Sequence, residues 1–297
     1  MPERRYHEAR DHRNRLDPAS ALTHPPSRRY TRERIRTGPP AGHHKENCRM
    51  VIAARGISRD RSADRRAVAV WFGILWLGML VGFGVDLQPF LRQKPAVPGL
   101  VYWHAAVFVA WLVLVSVQVA LVLSGRLGLH QRVGRVGATI AVFMVPLGLA
   151  TALTVLRMEP YPPAALALNL VDLLGFIVFI GLGIHYRREP DAHKRLMMLA
   201  MVSIADPGFS RAVETLVPDP QTPLGWFVSI FYGNVLLVAA MVGWDLWRRR
   251  RVHPVLLVGG ISLLGAELLT AFVYFDPAWQ ALAARLVHAW RYTGGMP

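Results

Sequence analysis

The strongest constraint on the fold is a series of long apolar segments between residues 67 and 275. Each segment holds roughly 20 residues, enough for a helix to cross a hydrocarbon core of about 30 Å. The fifth also contains Asp206, Pro207 and Arg211, so it is expected to be kinked or partly unwound. The sequence therefore predicts an all-α, polytopic transmembrane bundle of about seven spans: 67–87, 101–123, 138–156, 167–185, 196–216, 224–246 and 254–274.

Positive charge is concentrated before the first span. The formal net charge is +15, and residues 1–66 hold 17 of the 34 Lys and Arg residues but 8 of the 19 acidic ones. Because these residues contain no apolar run, they are predicted to form a disordered basic cytoplasmic tail. Met50 is an alternative site at which translation could start. Such a tail would attract the anionic lipid of a bilayer through charge, whereas no specific nucleic-acid partner is expected.

The loops between the spans set the predicted orientation. Loops on the side of the tail contain 11 Lys and Arg residues, and the opposite loops contain 3. By the positive-inside rule, the N-terminus is predicted in the cytoplasm and the C-terminus outside, in a bacterial inner membrane.

Residues 276–297 follow the last span. Asp276 and Pro277 favour a helix start, and Trp279, Leu282, Leu286 and Trp290 recur at helical spacing. This pattern is typical of a short amphipathic helix on the outer membrane surface. Docking against the bundle is the alternative.

Polar residues inside the spans are the candidates for chemistry, since such residues are costly in lipid. Walker A, GxGxxG, HExxH, CxxC and GxSxG motifs are absent from the sequence. His104, Trp111 and Gln118 are spaced by seven and share one helical stripe.

Four further ionisable groups fall in the outer half of the predicted bundle, with Asp206 nearest to the midplane: Asp172, Asp206, Arg211 and Glu267. Together with the stripe they predict a polar cavity, open to the outside, that binds a small molecule or ion or relays protons. Asp172–Arg211 is the favoured ion pair, and Asp206–Arg211 is the alternative. A purely structural role, fixing how the helices pack, is also open.

Histidines gather at the predicted cytoplasmic ends: His130, His185, His193 and His253. Two histidines on facing helices can ligate b-type haem, and His130–His193 is the best pair for that cofactor. Helix capping and interfacial roles are the alternatives. Ligand spacing predicts no metal site.

Glycines at helical spacing mark a close helix contact. Gly78-x-x-x-Gly82 allows two helices to approach, either within the bundle or between two copies of the chain.

Several of these fragments carry a resemblance when taken together. The residues are His104, Trp111 and Gln118, then Gly125–His130 with Gly134 and Gly137, then Asp191–Met197 with Arg211. They resemble a group of uncharacterised bacterial multi-span membrane proteins, which implies an architecture over roughly residues 70–270. The histidine-bearing helices are also distantly similar to b-type cytochrome membrane reductases.

Three functions follow as hypotheses. The first is handling of a small molecule or ion at the polar cavity. The second is electron transfer through b-type haem. The third is a non-catalytic assembly or interaction protein of the membrane.

Overall fold

The computed structural model describes residues 41–92, 97–158, 162–213 and 222–290. Within this part the chain forms helices and no strands: α1 (Ala41–Arg92), α2 (Gly99–Leu123), α3 (Leu127–Val155), α4 (Leu166–His185), α5 (Pro190–Val202), α6 (Asp206–Val213), α7 (Pro223–Arg249), α8 (Pro254–Phe275) and α9 (Pro277–Ala289). Six of them are long and apolar enough to cross a membrane: α1 from Ser62 to Gln88, α2, α3, α4, α7 and α8. The predicted all-α fold is confirmed, and its helices fit an integral membrane protein.

The predicted tail, residues 1–66, is described only in part. α1 begins at Ala41, inside that segment, and residues 1–40 lie outside the described residues. Contacts divide the chain after Ala53, and all the packing described below lies within residues 54–297.

Proline residues and capping side chains set where the later helices begin. α5, α7, α8 and α9 each begin with a proline, whose missing N–H is not needed in the first turn. Before α7, α8 and α9 a side chain accepts a hydrogen bond from the helix's own backbone N–H. The three capping residues are Thr222, His253 and Asp276, at 3.2, 3.2 and 2.9 Å.

The arginine-bearing loops meet at one end of the bundle. The carboxylate of Asp64 in α1 accepts hydrogen bonds from Lys194 at the start of α5, at 2.7 Å, and from Arg249 at the end of α7, at 3.1 Å. His193 of α5 contacts the Gly183 carbonyl near the end of α4. We call this end the arginine-rich end.

The fifth predicted span, 196–216, is a broken helix. α5 and α6 are joined by a turn at 203–205, and residues 214–216 lie outside the described residues. In a continuous helix, Pro207 could not donate to the carbonyl of Ser203, and its ring would clash with it. The kink expected from the sequence is therefore a full break.

α5 and α6 together still run along most of the membrane-crossing part of α1, Ser62 to Gln88. Lys194 of α5 bonds Asp64, whereas Arg211 of α6 bonds Asp86. Asp64 and Asp86 are separated by about 22 residues of helix, or ~33 Å. The broken segment thus follows the bundle from one end toward the other, beside the six continuous helices.

α9 docks on the bundle, the alternative that the sequence left open, and uses part of the predicted stripe. Trp279 donates to the Ala164 carbonyl at 3.0 Å, and Trp290 donates to the Thr154 hydroxyl at 3.1 Å. The buried residues between these anchors are Ala283 and Val287, while the predicted Leu282 and Leu286 are exposed. The docked face therefore keeps Trp279 and Trp290 but buries Ala283 and Val287 in place of Leu282 and Leu286.

The glycine pair of α1 packs within the bundle. A Cβ on Gly82 would overlap the carbonyl oxygen of Gly208 in α6, and a Cβ on Gly78 would overlap the ring of Phe209. Of the two roles left open for this pair, the structure assigns internal packing.

Candidate functional site

Three buried carboxyl groups lie together beside the break between α5 and α6. Asp172 comes from α4, Asp206 is the first residue of α6, and Glu267 comes from α8. These residues are 9%, 1% and 1% exposed. Asp172 lies within electrostatic reach of both other carboxyl groups, and those two reach each other. We call the three residues the carboxyl cluster.

The carboxyl cluster lies in the half of the bundle away from the arginine-rich end. Asp172 stands about 13 residues before the last residue of α4, and Glu267 about 13 residues after the first of α8, or ~20 Å along each helix. The structure thus brings together three of the residues predicted to line a polar cavity.

Most oxygen atoms of the carboxyl cluster have no hydrogen-bond partner. Asn234 of α7 donates to Glu267 Oε1 at 2.8 Å. The unpartnered atoms are Asp172 Oδ1, both Asp206 oxygens, Glu267 Oε2 and Asn234 Oδ1. All are acceptors, so the partners that would satisfy them are protons, donors or cations.

A glycine allows the break to approach the carboxyl cluster. A Cβ on Gly175 of α4 would lie 2.9 Å from Ser203 Cβ and 3.6 Å from Leu263. Gly175 is about one turn from Asp172, and Leu263 about one turn from Glu267. The turn at 203–205 therefore packs at the level of both carboxyl-bearing helices, and this contact positions Asp206.

Arg211 does not form the ion pair that the sequence favoured. Its Nε bonds Asp86 Oδ2 at 3.0 Å, its Nη1 donates to the Pro207 carbonyl at 2.7 Å, and its guanidinium lies over the Phe83 ring. The predicted Asp172–Arg211 pair is therefore wrong. The physical reason is that α1, and not α4, lies beside this face of α6.

The alternative partner, Asp206, interacts with Arg211 only through space. The two are within electrostatic reach of each other, yet no hydrogen bond joins them. The side chains of Arg211 and Asp86 are 36% and 44% exposed. Arg211 thus lies at a half-exposed edge and is not buried with the acids.

The stripe on α2 contacts other residues than the carboxyl cluster. The His104 ring packs against Phe108 of its own helix, with centroids 4.1 Å apart and the planes tilted by 35°. Trp111 is buried edge-on against Phe176 of α4, about one turn from Asp172. Gln118 lies beside Gly134 of α3. Each of the three carries a buried polar atom with no hydrogen-bond partner.

A buried ionic network at the arginine-rich end was missed by the sequence reasoning. Arg195 and Asp245 are 3% and 1% exposed, and the guanidinium of Arg195 bonds both oxygens of Asp245. Arg195 also donates to the Asp191 carbonyl at 2.8 Å. From the sequence, Arg195 is counted only among the 11 basic loop residues that set the orientation. The available signal was Asp245, an acidic residue inside the predicted span 224–246.

The network balances three cations against three carboxylates. Lys194 and Arg249 both bond Asp64 and Asp191, and Trp244 donates to Asp64 at 3.0 Å. The hydrogen bonds from Arg249 and Lys194 hold the pKa of the Asp191 carboxyl well below its usual range. α1, α5 and α7 are thereby tied together at this end.

His130 and His193 are neighbours, as the haem hypothesis requires. Their rings lie edge to face with centroids 6.2 Å apart. His193 Nδ1 is 2.7 Å from the Gly183 carbonyl, which favours a proton on Nδ1 and leaves Nε2 with a free lone pair. His130 Nδ1 is buried without a partner. His185 instead packs against Tyr186, and His253 caps α8.

Within the described ranges, no three His, Cys, Asp or Glu side chains converge closely enough to hold a metal ion.

No family model matches the chain, and neither the curated proteins nor the solved structures include a significant match to it.

Proposed function

We propose that this chain is a multi-pass protein of a bacterial inner membrane that binds and relays protons at the carboxyl cluster. The observation that carries the proposal is the burial of Asp172, Asp206 and Glu267 together, with four of their oxygen atoms lacking a partner. The asymmetry of the basic loops supports a cytoplasmic arginine-rich end, and so a carboxyl cluster in the outer half.

The proton is the cation that this chemistry favours. Three ionised carboxylates buried together would repel one another. No cation bonds their unpartnered oxygen atoms, so neither this repulsion nor the cost of burying the charges is compensated. A proton neutralises one carboxylate and needs no converging set of ligands, whereas a metal ion needs several. Chains of buried acids recur where membrane proteins relay protons.

The broken helix supports a functional role for the same place. Discontinuous helices in membrane transporters lie at substrate and ion sites, where irregular backbone faces protein or water. Here the break precedes Asp206 directly. Arg211 lies within electrostatic reach of Asp206 and is 36% exposed, which supports access from that edge.

The substitution Asp206→Asn tests the proposal, since it keeps the shape of the side chain but cannot exchange a proton. The purified protein is placed in vesicles that enclose a pH-sensitive dye, and a pH gradient is imposed. We expect proton flux well above that of protein-free vesicles, and a loss of at least about tenfold in the variant. Glu189→Gln is the matched control, because Glu189 is an exposed carboxyl outside the carboxyl cluster.

Two outcomes would refute a proton relay. One is a flux equal to that of empty vesicles for the unaltered protein. The other is an equal flux in the protein and in Asp206→Asn. If Asp206→Asn instead raises the stability of the fold without changing flux, the carboxyl cluster is a packing device, as in an assembly protein.

A second candidate function, electron transfer through b-type haem, is favoured by the adjacency of His130 and His193. The hydrogen bond of His193 Nδ1 to the Gly183 carbonyl is the contact that commonly orients a histidine whose Nε2 ligates iron. In this role the two histidines would hold the iron, and the haem would supply reversible one-electron chemistry.

An absorbance spectrum tests the haem hypothesis. Protein expressed with ample haem should show an intense Soret band, and His193→Ala should lose it, whereas His185→Ala should keep it. His185 is the control because it lies at the same end but packs on Tyr186. If the protein shows no Soret band but its proton flux is intact, the haem hypothesis is refuted and the proton proposal stands.

A further inference from the structure

A groove at the arginine-rich end lies between α1, α5 and α7. It has a volume of about 680 Å³, within the range of pockets that take small ligands. Its walls are mainly apolar and include Trp71, Ile74, Met198, Met241, Trp247 and Leu256. Ile74 and Trp247 are 45% and 68% exposed, so the groove is open toward the surroundings of the bundle.

The groove lining has one more positively charged side chain than negatively charged ones. Its charged residues are Asp64, Arg66, Lys194, Arg195 and Asp245. Lys194 bonds Asp64 at 2.7 Å, and Arg195 bonds Asp245. That leaves Arg66, which is exposed and forms no ion pair with any described residue. An occupant with one negative charge would complement this lining.

The position of Arg66 identifies the kind of anion. Arg66 is four residues after Ser62, where the membrane-crossing part of α1 begins, and it immediately precedes the predicted span 67–87. A bilayer that covers this part of α1 would place the long Arg66 side chain within reach of the lipid headgroups. The apolar groove extends from there to Ile74, about eight residues or ~12 Å deeper along α1. An anion at the surface joined to an apolar chain below it is the chemistry of an anionic phospholipid.

We propose that the groove binds one acyl chain of an anionic phospholipid whose phosphate pairs with Arg66. This site is separate from the carboxyl cluster, which lies toward the other end of the bundle. It needs the chain to be in a membrane, but it does not depend on proton binding.

Spin-labelled lipids measure the proposed binding. The full chain is placed in phosphatidylcholine vesicles with a trace of spin-labelled phosphatidylglycerol or phosphatidylcholine, and the immobilised fraction of each label is compared. We expect an association constant for phosphatidylglycerol about fivefold above that for phosphatidylcholine. Arg66→Ala should lower that ratio to about one. Arg132→Ala is the control, since Arg132 is exposed at the same end but does not line the groove.

A second variant fills the groove and leaves Arg66 in place. Ala240 is an exposed residue of its wall, and Ala240→Phe should reduce the immobilised fraction of both labels. Equal ratios for Arg66→Ala and Arg132→Ala would overturn the proposal, because general surface charge would then explain the preference. If the unaltered protein binds both labels equally, the groove takes an acyl chain without selecting an anionic headgroup. If Ala240→Phe changes the oligomeric state, the occupant of the groove is a second copy of the protein. Either of these two results contradicts binding of an anionic lipid.

Discussion

Replacing Arg195 by Met is expected to lower the free energy of unfolding by about 3–5 kcal/mol. The change removes the guanidinium that bonds both oxygens of Asp245 and leaves a carboxylate that is 1% exposed. The backbone N–H of His253 and a distant Arg249 Nε, at 3.1 and 3.9 Å, are what remains near it. A buried charge that loses its partner keeps its desolvation penalty, which is why the effect is large.

The double variant Arg195→Met/Asp245→Leu separates charge burial from packing. Removing both charges should restore most of the lost stability, because apolar residues of similar volume avoid the desolvation penalty. Arg251→Met is the control, since Arg251 is an exposed arginine outside the network. Unfolding of the purified protein by added SDS gives the free energies. If Arg195→Met unfolds like Arg251→Met, the ion pair contributes little to stability.

The sequence predicts the helices well because the bilayer restricts what long apolar segments can form. The segments around α2, α4 and α8 consist almost entirely of apolar residues, and each became one continuous helix. The fifth segment deviated where Pro207 follows Asp206, a residue pair that opposes a continuous helix. A kink could be anticipated there, but the packing of Ser203 against Gly175 of α4 could not, because one sequence does not say which helices are neighbours.

The partners of the charged residues were harder to predict than their depths. Depth follows from counting residues along a span, and this count placed Asp172 and Glu267 at one level. Pairing depends on which helices are neighbours, which a single sequence does not contain. Arg211 therefore was assigned to an acid of α4 although Asp86 of α1 is its partner. Arg195 was read as a topology signal because burial cannot be seen in a loop-end arginine.

Gly82→Ala is expected to destabilise the protein by about 3 kcal/mol, at the upper end of overpacking effects. The added Cβ would overlap the carbonyl oxygen of Gly208 and lie 2.7 Å from its carbonyl carbon. A flexible side chain could rotate away, but these are backbone atoms, so α1 and α6 must separate. Separation also loosens Phe209, which lies against Gly78 of α1 and Gly233 of α7.

The control for Gly82→Ala is the same change two residues later. A Cβ on Gly84 would meet nothing within 4 Å, so Gly84→Ala should be neutral or stabilising by up to about 1 kcal/mol through helix propensity. If the two substitutions change the free energy of unfolding in opposite directions, the effect at Gly82 comes from its contact with α6 and not from glycine's flexibility. Equal effects in SDS unfolding would contradict the close approach.

Movement of α6 also connects this contact to the carboxyl cluster. α6 carries Asp206 at its first residue and Arg211 near its end, and Arg211 is held by Asp86 on the same helix as Gly82. Gly82→Ala should therefore reduce proton flux in vesicles at a temperature where the variant is still folded, although it changes no titratable group. Because Gly84→Ala leaves α6 in place, unchanged flux in that variant would attribute the loss to the position of Asp206.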